Sequence, residues 1–584
     1  VVSIGNNLKL KRASLAQESK RFVDAFPDMS SVLADESIDP DLNRTIDALT
    51  YLYTVLEAKL ELEHEQLSAS LINMFLPNYV QTTPSMLVIE CVNTANKASL
   101  IAKGTEVYSV CAQNKQRYTF QIARDTYASP FTIGDVVKTQ SKQLSISFKA
   151  LAPNSLCDAL SNITFYCGAE LYAGFYLYLY FLEYAASASV VVNNHEYELH
   201  NIKFSSDVFS ARQAILLYPN NIFSGHRLLH EYFCYPQGFL FFNLDNLNGI
   251  SALKDIFVDE FELKVTFKYD LPPEVHITRE LLKINCTPAI NLFAQDFDPI
   301  ALDGKKTEYP LIIRHNNNQH NKHYEFFKVT DVTGYLGNKT RHYAQFENFH
   351  HEVERAKGRA SLYYHINMQP DYANNDITCS ISFMRSDEAL CIGKEEIISV
   401  SGLCSNNNCA RHVKTGARFY FADFSADCSD GIVPPNIELI NASHPSVAIA
   451  PNLNSAKQFA TISALSFNYL SLLTKESLQQ LLQNYNFVAL YSERAAKKLE
   501  LLVQGIASFA TAWHTHLYQD ITIFGQKSTI HLENNAFYNN GEMYLFGCIL
   551  ANFYAQCAPV NSFHFLDVVN LANKEVYSWQ LLSN

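Results

Sequence analysis

His230 and Glu231 stand side by side, as at the start of the His-Glu-x-x-His pattern, in which two imidazoles one helical turn apart hold zinc and the glutamate activates water. The second imidazole is missing: Cys234 takes its place, so the ligand pair is broken and metal-assisted hydrolysis is not expected. Cys404, Cys409 and His412 offer three ligands in one short stretch, but a structural zinc site takes four and no fourth falls at a usual spacing. The expectation there is a loop with incidental thiols. His514 and His516 flank Thr515, a spacing that puts both imidazoles on one face of a strand, where a polar edge is the plainer reading than a metal. Asp296, Asp298 and Asp303 could share general acid and base work only in a pocket that shifts a carboxyl out of its ordinary range, so an acidic loop is expected. Phosphate-cradling glycine loops, dinucleotide-binding glycine triplets and serine elbows are absent from the sequence. Neither a cofactor nor a catalytic residue is expected.

The elements that would hold such residues change character along the chain. Between Ile46 and Met74, Ile46, Leu49, Leu52, Tyr53, Leu56, Leu60, Leu67 and Leu71 recur at helical spacings and form one apolar stripe; Asp39-Pro40 opens this helix and Pro77 ends it. From Ser85 to about Asp270, short runs rich in Val, Ile, Tyr and Phe read as strands: Met86 to Val92, Gln143 to Lys149, Phe175 to Phe181, Ser189 to Val192 and Phe261 to Tyr269. Phe239 to Phe242 reads as a buried strand, and His315 to Lys322 as an exposed loop. Helices are expected again at Ser455 to Asn484 and Ser492 to Thr511. A strand around Ile521 to Leu532, an amphipathic helix from Gly541 to Gln556 and a closing strand near Glu575 to Trp579 complete the pattern. The fold class is therefore α+β and multidomain: N-terminal helices, β-rich middle domains and a mixed C-terminal part. The expected division is 1–84, 85–280, 281–450 and 451–584.

Composition narrows the function classes. At 584 residues the chain exceeds what one hydrophobic core sustains. Its 45 Lys+Arg against 58 Asp+Glu give a net charge of −13, and no dense basic stripe is present, so nucleic acid is not the expected partner. Thirteen cysteines without a CxxC pair read as buried thiols in a reducing compartment. The N-terminal VVSIGNNLKLKR lacks an apolar leader core, and no apolar run reaches membrane-spanning length, so a soluble cytoplasmic protein is expected. Thirty-three Tyr and 39 Phe against 18% charged residues suit either a β-rich protein with interfaces to bury or a compositional bias of the source genome.

Segments spread over most of the chain resemble, in order, the TssF family, a baseplate wedge subunit of the bacterial type VI secretion system. They begin with Arg21-Phe22 to Phe26-Pro27, Asp39-Pro40-Asp41, Leu49-Thr50-Tyr51-Leu52, Leu76-Pro77-Asn78-Tyr79 and Thr83-Pro84-Ser85-Met86. Next come Gly225-His226-Arg227-Leu228-Leu229 with Glu231-Tyr232-Phe233, Asn285-Cys286-Thr287-Pro288, and Leu403-Cys404-Ser405-Asn406. The last are Asn468-Tyr469-Leu470, Gly541-Glu542 to Gly547, and Asn561-Ser562-Phe563. Asn78 stands where the family usually has His, and the stretch from about Asn96 to Val208 matches poorly. Each motif also has a plain structural reading: Asn285 to Pro288 is a strand-to-turn signal with Pro holding its predecessor extended, and Cys404 is a packed thiol. Most motif residues are expected in the core.

What the resemblance implies is a non-enzymatic scaffold in the cytoplasm, at the baseplate docked on the inner membrane. It implies pairing of two copies with TssG and support of TssK. Neighbouring wedges, the VgrG hub, TssE and the sheath end are further partners, with the membrane reached only through the membrane complex. The stripe from Ile46 to Leu71 is the candidate for the shared core bundle. A wedge protein of a related contractile phage-tail-like particle is the alternative, and a glycan-acting enzyme, which would need two poised carboxylates, stands behind it.

Overall fold

Strict alternation along Met86–Asn93 builds two cores from one strand. Leu87, Ile89 and Cys91 point into a closed six-stranded barrel, while Met86 and Val88, on the other face, join a larger core outside it. The barrel runs Met86–Asn93, Cys286–Ile290, Arg117–Ile122, Glu106–Val110, Arg418–Phe421 and Ile437–Asn441, and Phe120 meets Phe419 edge to face in its interior at 5.6 Å. Its strands come from both sides of residue 280. The computed structural model describes residues 77–582 apart from internal segments, the longest of which are 246–255, 315–323, 347–361, 386–395, 423–436 and 451–470 (Ile462 excepted). Before residue 77 it describes Arg21, Ala48, Thr50, Leu52 and Ile72, all helical.

Asn285 sets the entry to the barrel strand Cys286–Ile290. It adopts φ 56°, a left-handed conformation that Asn tolerates, and its amide bonds the backbone of Ser129 and Phe131. The bend at Asn285 thus joins the strands Lys283–Ile284 and Cys286–Ile290, so the strand-to-turn change falls at Asn285 and Cys286 to Pro288 are already strand. Thr287 is extended, as Pro288 requires.

Against the barrel lie a five-stranded antiparallel sheet, centred on Phe257–Phe267 and Gln143–Ser155, and a four-stranded sheet containing Phe241–Asp245. Two further sheets, one around Glu396–Ser405 and one around Asp376–Arg385, enclose a separate core that includes Cys404. The chain is an α+β multidomain protein.

Several predicted elements differ. Within the expected helix Ser455 to Asn484, a 3-10 turn at Ser471–Leu473 and a new N-cap at Thr474 precede the helix Lys475–Asn484, so its described part is not one continuous helix. Phe175 to Phe181 lies within the helix Leu171–Leu182, not a strand. This helix is buried on nearly every side, so an unbroken apolar run replaces the polar positions that reveal a helical period. The helix Asn540–Cys557, expected to be amphipathic, is likewise buried almost all round. The helix capped by Ser492 stops at Gln504 instead of continuing to Thr511: Gly505 ends it, and Ile506 starts a strand that runs to Tyr518. Phe239 to Phe242 is buried as expected but divides, a 3-10 turn ending at Phe239 and a strand starting at Phe241.

The C-terminal part explains why Asn540–Cys557 has no polar face. Ile521–Leu532 and Phe563–Asn570 pair in parallel, so the connection between them must cross over, and this helix is the crossover. One side packs on Phe563–Asn570 and Val576–Leu582; the other meets the helices Leu171–Leu182 and Ser224–Cys234. Gly541 and Gly547 permit both approaches. A Cβ at Gly541 would lie 2.0 Å from the Phe175 carbonyl oxygen, and one at Gly547 2.3 Å from the Trp579 ring. Asn539 caps the helix by accepting from Glu542 N–H and donates to the Tyr172 carbonyl, tying helix to helix.

Candidate assembly interface

The His230-Glu231 pair sits on the helix Ser224–Cys234, and its surroundings are structural. Glu231 is fully buried and ion-paired with Arg227 at 3.0 Å, and its Oε1 accepts from the backbone N–H groups of Ile215 and Leu216. Arg227 Nη2 donates to the carbonyls of Phe209 and Ser210, while its Nε has no hydrogen-bond partner among the described residues. Close by, Arg124 donates to the carbonyls of Gln213 and Gly238, and burial pulls its guanidinium down to about 10. Two buried guanidinium groups thus share this region with Glu231. The carboxylate is held for charge balance and chain tying, not for chemistry.

His230 bridges Thr83 Oγ1 at 3.1 Å and Tyr218 OH at 2.8 Å; burial pushes it down to about 3, so it is neutral at pH 7. His226 holds Tyr485 OH through Nδ1 at 2.5 Å, and burial lowers it to about 4. These bonds join the motif helix to the Thr83-Pro84-Ser85 segment and to the end of the helix Lys475–Asn484.

The remaining chemical candidates disperse. Cys404 is buried among Phe293, Val400 and their neighbours, Cys409 belongs to the barrel core, and His412 stacks on Tyr118. Asp296 accepts from Ser401 Oγ at 2.7 Å, Asp298 lies in the adjoining loop, and Asp303 is outside the described residues. His514 and His516 do share a strand face, where both rings lie on Phe563 and Phe565. No group of three or more His, Cys, Asp or Glu suited to a metal occurs among the described residues.

Of the candidate interface stripe, the described residues include Leu52. Leu52 is helical and 56% exposed, whereas Thr50 and Ile72, off the stripe, are buried. Ile46, Leu49, Tyr53, Leu56, Leu60, Leu67 and Leu71 lie outside the described residues, as do Asn468, Tyr469, Leu470 and the loop His315 to Lys322. Among the motif residues, Tyr79, Pro84, Asn285, Cys286, Thr287, Pro288, Gly547 and Phe563 are buried; Pro77 begins a 3-10 turn. Asn561 is exposed at φ 62°, and Ser562 donates to the Phe524 carbonyl. Asn78, in the position usually held by His, donates to the Leu217 carbonyl.

One apolar surface escaped the sequence reading. Trp513 is 76% exposed, Leu517 63% and Phe524 66%, all on one face of the hairpin Ile506–Tyr518/Ile521–Leu532. That face carries Gln526 as well, which pairs with the buried His564 beneath Tyr554 of the Asn540–Cys557 helix. The hairpin tip therefore extends the helix-covered side of the sheet beyond its cover. The signal available was an uncharged run of 13 residues from Ile506 to Tyr518, hidden by reading its first half as helix.

Among the described residues, no helix is long and apolar enough to cross a membrane. The chain matches the family model "Type VI secretion system, TssF" over residues 12–583. It is 24% identical to the type VI secretion system component TssF1 of Pseudomonas aeruginosa, over 97% of this chain and 96% of that protein. A chain of a type VI secretion TssK-TssF-TssG baseplate subcomplex solved by cryo-electron microscopy has a similar fold: TM-score 0.74 at 20% identity, covering 93% of this chain and 99% of that one. A chain of a type VI secretion baseplate complex is also similar, with TM-score 0.64 at 18% identity over 100% and 99% of the two chains.

Proposed function

The chain belongs to the TssF family of type VI secretion components, and from that premise we propose that it is a structural subunit of the baseplate wedge and not an enzyme. The observation that carries this is the match over residues 12–583, nearly the whole chain, together with a shared fold with a chain of a TssK-TssF-TssG subcomplex. The chemistry of the interior agrees. His226, Arg227, His230 and Glu231 of the motif helix are each bonded to backbone or neighbouring side chains.

Two copies pair with TssG and support TssK in the cytoplasm. The segment 1–84 supplies the core bundle, and the β-rich segments 85–280 and 281–450, which share the barrel, spread outward with 451–584 packed on 85–280 through the helix Asn540–Cys557. Neighbouring wedges, the VgrG hub, TssE and the sheath end complete the surroundings, and the wedge meets the inner membrane through the membrane complex alone. Leu52, apolar and exposed, is what a bundle helix awaiting partners presents.

Co-expression with TssG- and TssK-type proteins, size-exclusion chromatography and mass measurement test the reading. A single species containing all three, with two copies of this chain, is expected. A chain that elutes alone in the presence of both overturns it.

A further inference from the structure

The strand Ile506–Tyr518 is an outer strand of the C-terminal sheet, paired among the described residues only with Ile521–Leu532. Lys475 Nζ donates to the Ala507 carbonyl at its start. Beyond that point, among the described residues, no backbone group from Ser508 to Tyr518 bonds anything but the neighbouring strand. Outer strands in folded proteins are ordinarily short, or carry charges, a proline or a cover that prevent pairing with another chain. This one has 13 residues and none of Asp, Glu, Lys, Arg or Pro. The hairpin 506–532 is neutral overall, with Lys527 against Asp520, in a chain of charge −13. Two copies carry the same net charge, and this hairpin adds nothing to their repulsion.

We infer that this edge is where a second copy of the chain docks, its Ile506–Tyr518 strand laid antiparallel on the first to make one continuous sheet. The inference rests on the two-copy reading above. The strand's own sequence selects the occupant. Apposed about Trp513, it sets Trp513 against its mate, Thr511 against Thr515, Phe509 against Leu517, and the small Ala512 against the bulky His514. Ala510 and His516 repeat that small-to-large match. Aromatic, Thr–Thr and size-matched pairs are those that stabilise antiparallel neighbours, and no like charges meet. A two-fold pairing of this kind closes on itself, so it yields a pair and not a filament.

The test uses the full chain co-expressed with its TssG- and TssK-type partners. Directly opposed residues of an antiparallel pair lie within disulfide reach, so Trp513→Cys should give an oxidant-dependent covalent pair of this chain; a Cys at Lys149, on another sheet, should not. The double variant A512D/H514D sets Asp against Asp twice and should weaken association of the copies roughly two- to thirty-fold. A512D/H514K sets Asp against Lys and should restore it, which no unrelated partner strand would reproduce. Far-UV circular dichroism confirms that each variant is folded. Two copies per complex with no cross-link at position 513, or a cross-link to a different chain, overturns this interface while the two-copy reading stands. One copy per complex overturns the two-copy reading itself.

Discussion

Replacing Glu231 by Ala removes the carboxylate that balances Arg227 and holds two backbone amides, in a region where both side chains of the ion pair are at most 2% exposed. Solvent cannot compensate. An uncompensated charge left by breaking a buried pair costs about 3–5 kcal/mol, and each orphaned amide about 1–3 kcal/mol, with the terms less than additive. We expect a loss of about 5 kcal/mol, comparable with the whole stability of many domains. At roughly 2–4 °C per kcal/mol, that is a fall on the order of 10–20 °C in the transition of the main core, read by circular dichroism on the purified chain. Glu231→Gln separates the two contributions. Both amides bond the same oxygen, Oε1, which the Gln carbonyl can replace, so those two bonds survive while the charge and the bond from Arg227 Nη1 to Oε2 are lost, and the fall should be smaller than for Ala. R227M/E231Q should be less destabilised than the sum of the single variants by about 1–3 kcal/mol, the sign of a direct coupling. A shift below about 3 °C for Glu231→Ala would refute the view that this carboxylate anchors the core.

Acid should act through the buried histidines. His230 is lowered to about 3 and His564 to about 4 by burial, both below the ordinary 6.5. The unfolded chain therefore binds more protons between pH 6.5 and 4, and stability present above 6.5 is lost as pH falls through that window. Between pH 7 and 5 the loss should reach about 2 kcal/mol for each group, and His230→Gln should flatten the melting temperature against pH. Gly541→Ala drives a methyl into the Phe175 carbonyl; about 3 kcal/mol of destabilisation and a lower soluble yield are expected, and an unchanged melting curve would count against the close packing of the two helices. Charged residues in place of Leu52, Leu56 and Leu60 should abolish recovery of the complex with TssG while leaving the far-UV spectrum of the β regions intact; undiminished complex would remove these positions from the bundle.

Much of the β structure was legible because strands show as short runs of Val, Ile, Tyr and Phe bounded by Asn, Gly and Pro. Met86–Asn93, Phe257–Phe267 and Ile521–Leu532 all lie where their patterns place them. The start of the helix at Ser492 also lies where expected, and the Ser492 side chain caps it by accepting from Ala495 N–H. Leu171–Leu182 was not, because periodicity reports a contrast between faces and complete burial removes the contrast. Closure of the barrel was invisible for a different reason: Met86–Asn93 pairs with Ile437–Asn441, some 350 residues away, and nothing local to either strand specifies the other. Of the candidate site, the His-Glu pair drew attention as chemistry and proved to be architecture. The exposed hairpin face went unread because its strand was taken for the end of a helix.

The all-round burial of Asn540–Cys557 also bears on how the protein is made. The surfaces that receive it, on Leu171–Leu182 and Ser224–Cys234, leave the ribosome more than 300 residues earlier. At roughly 5–20 residues per second, they wait on the order of 15–75 s for their cover. During that interval an aromatic helix stands open to chaperones and to other nascent chains. A chain broken off before residue 540 never closes this core. Closure of this core therefore depends on a segment that is among the last to be made.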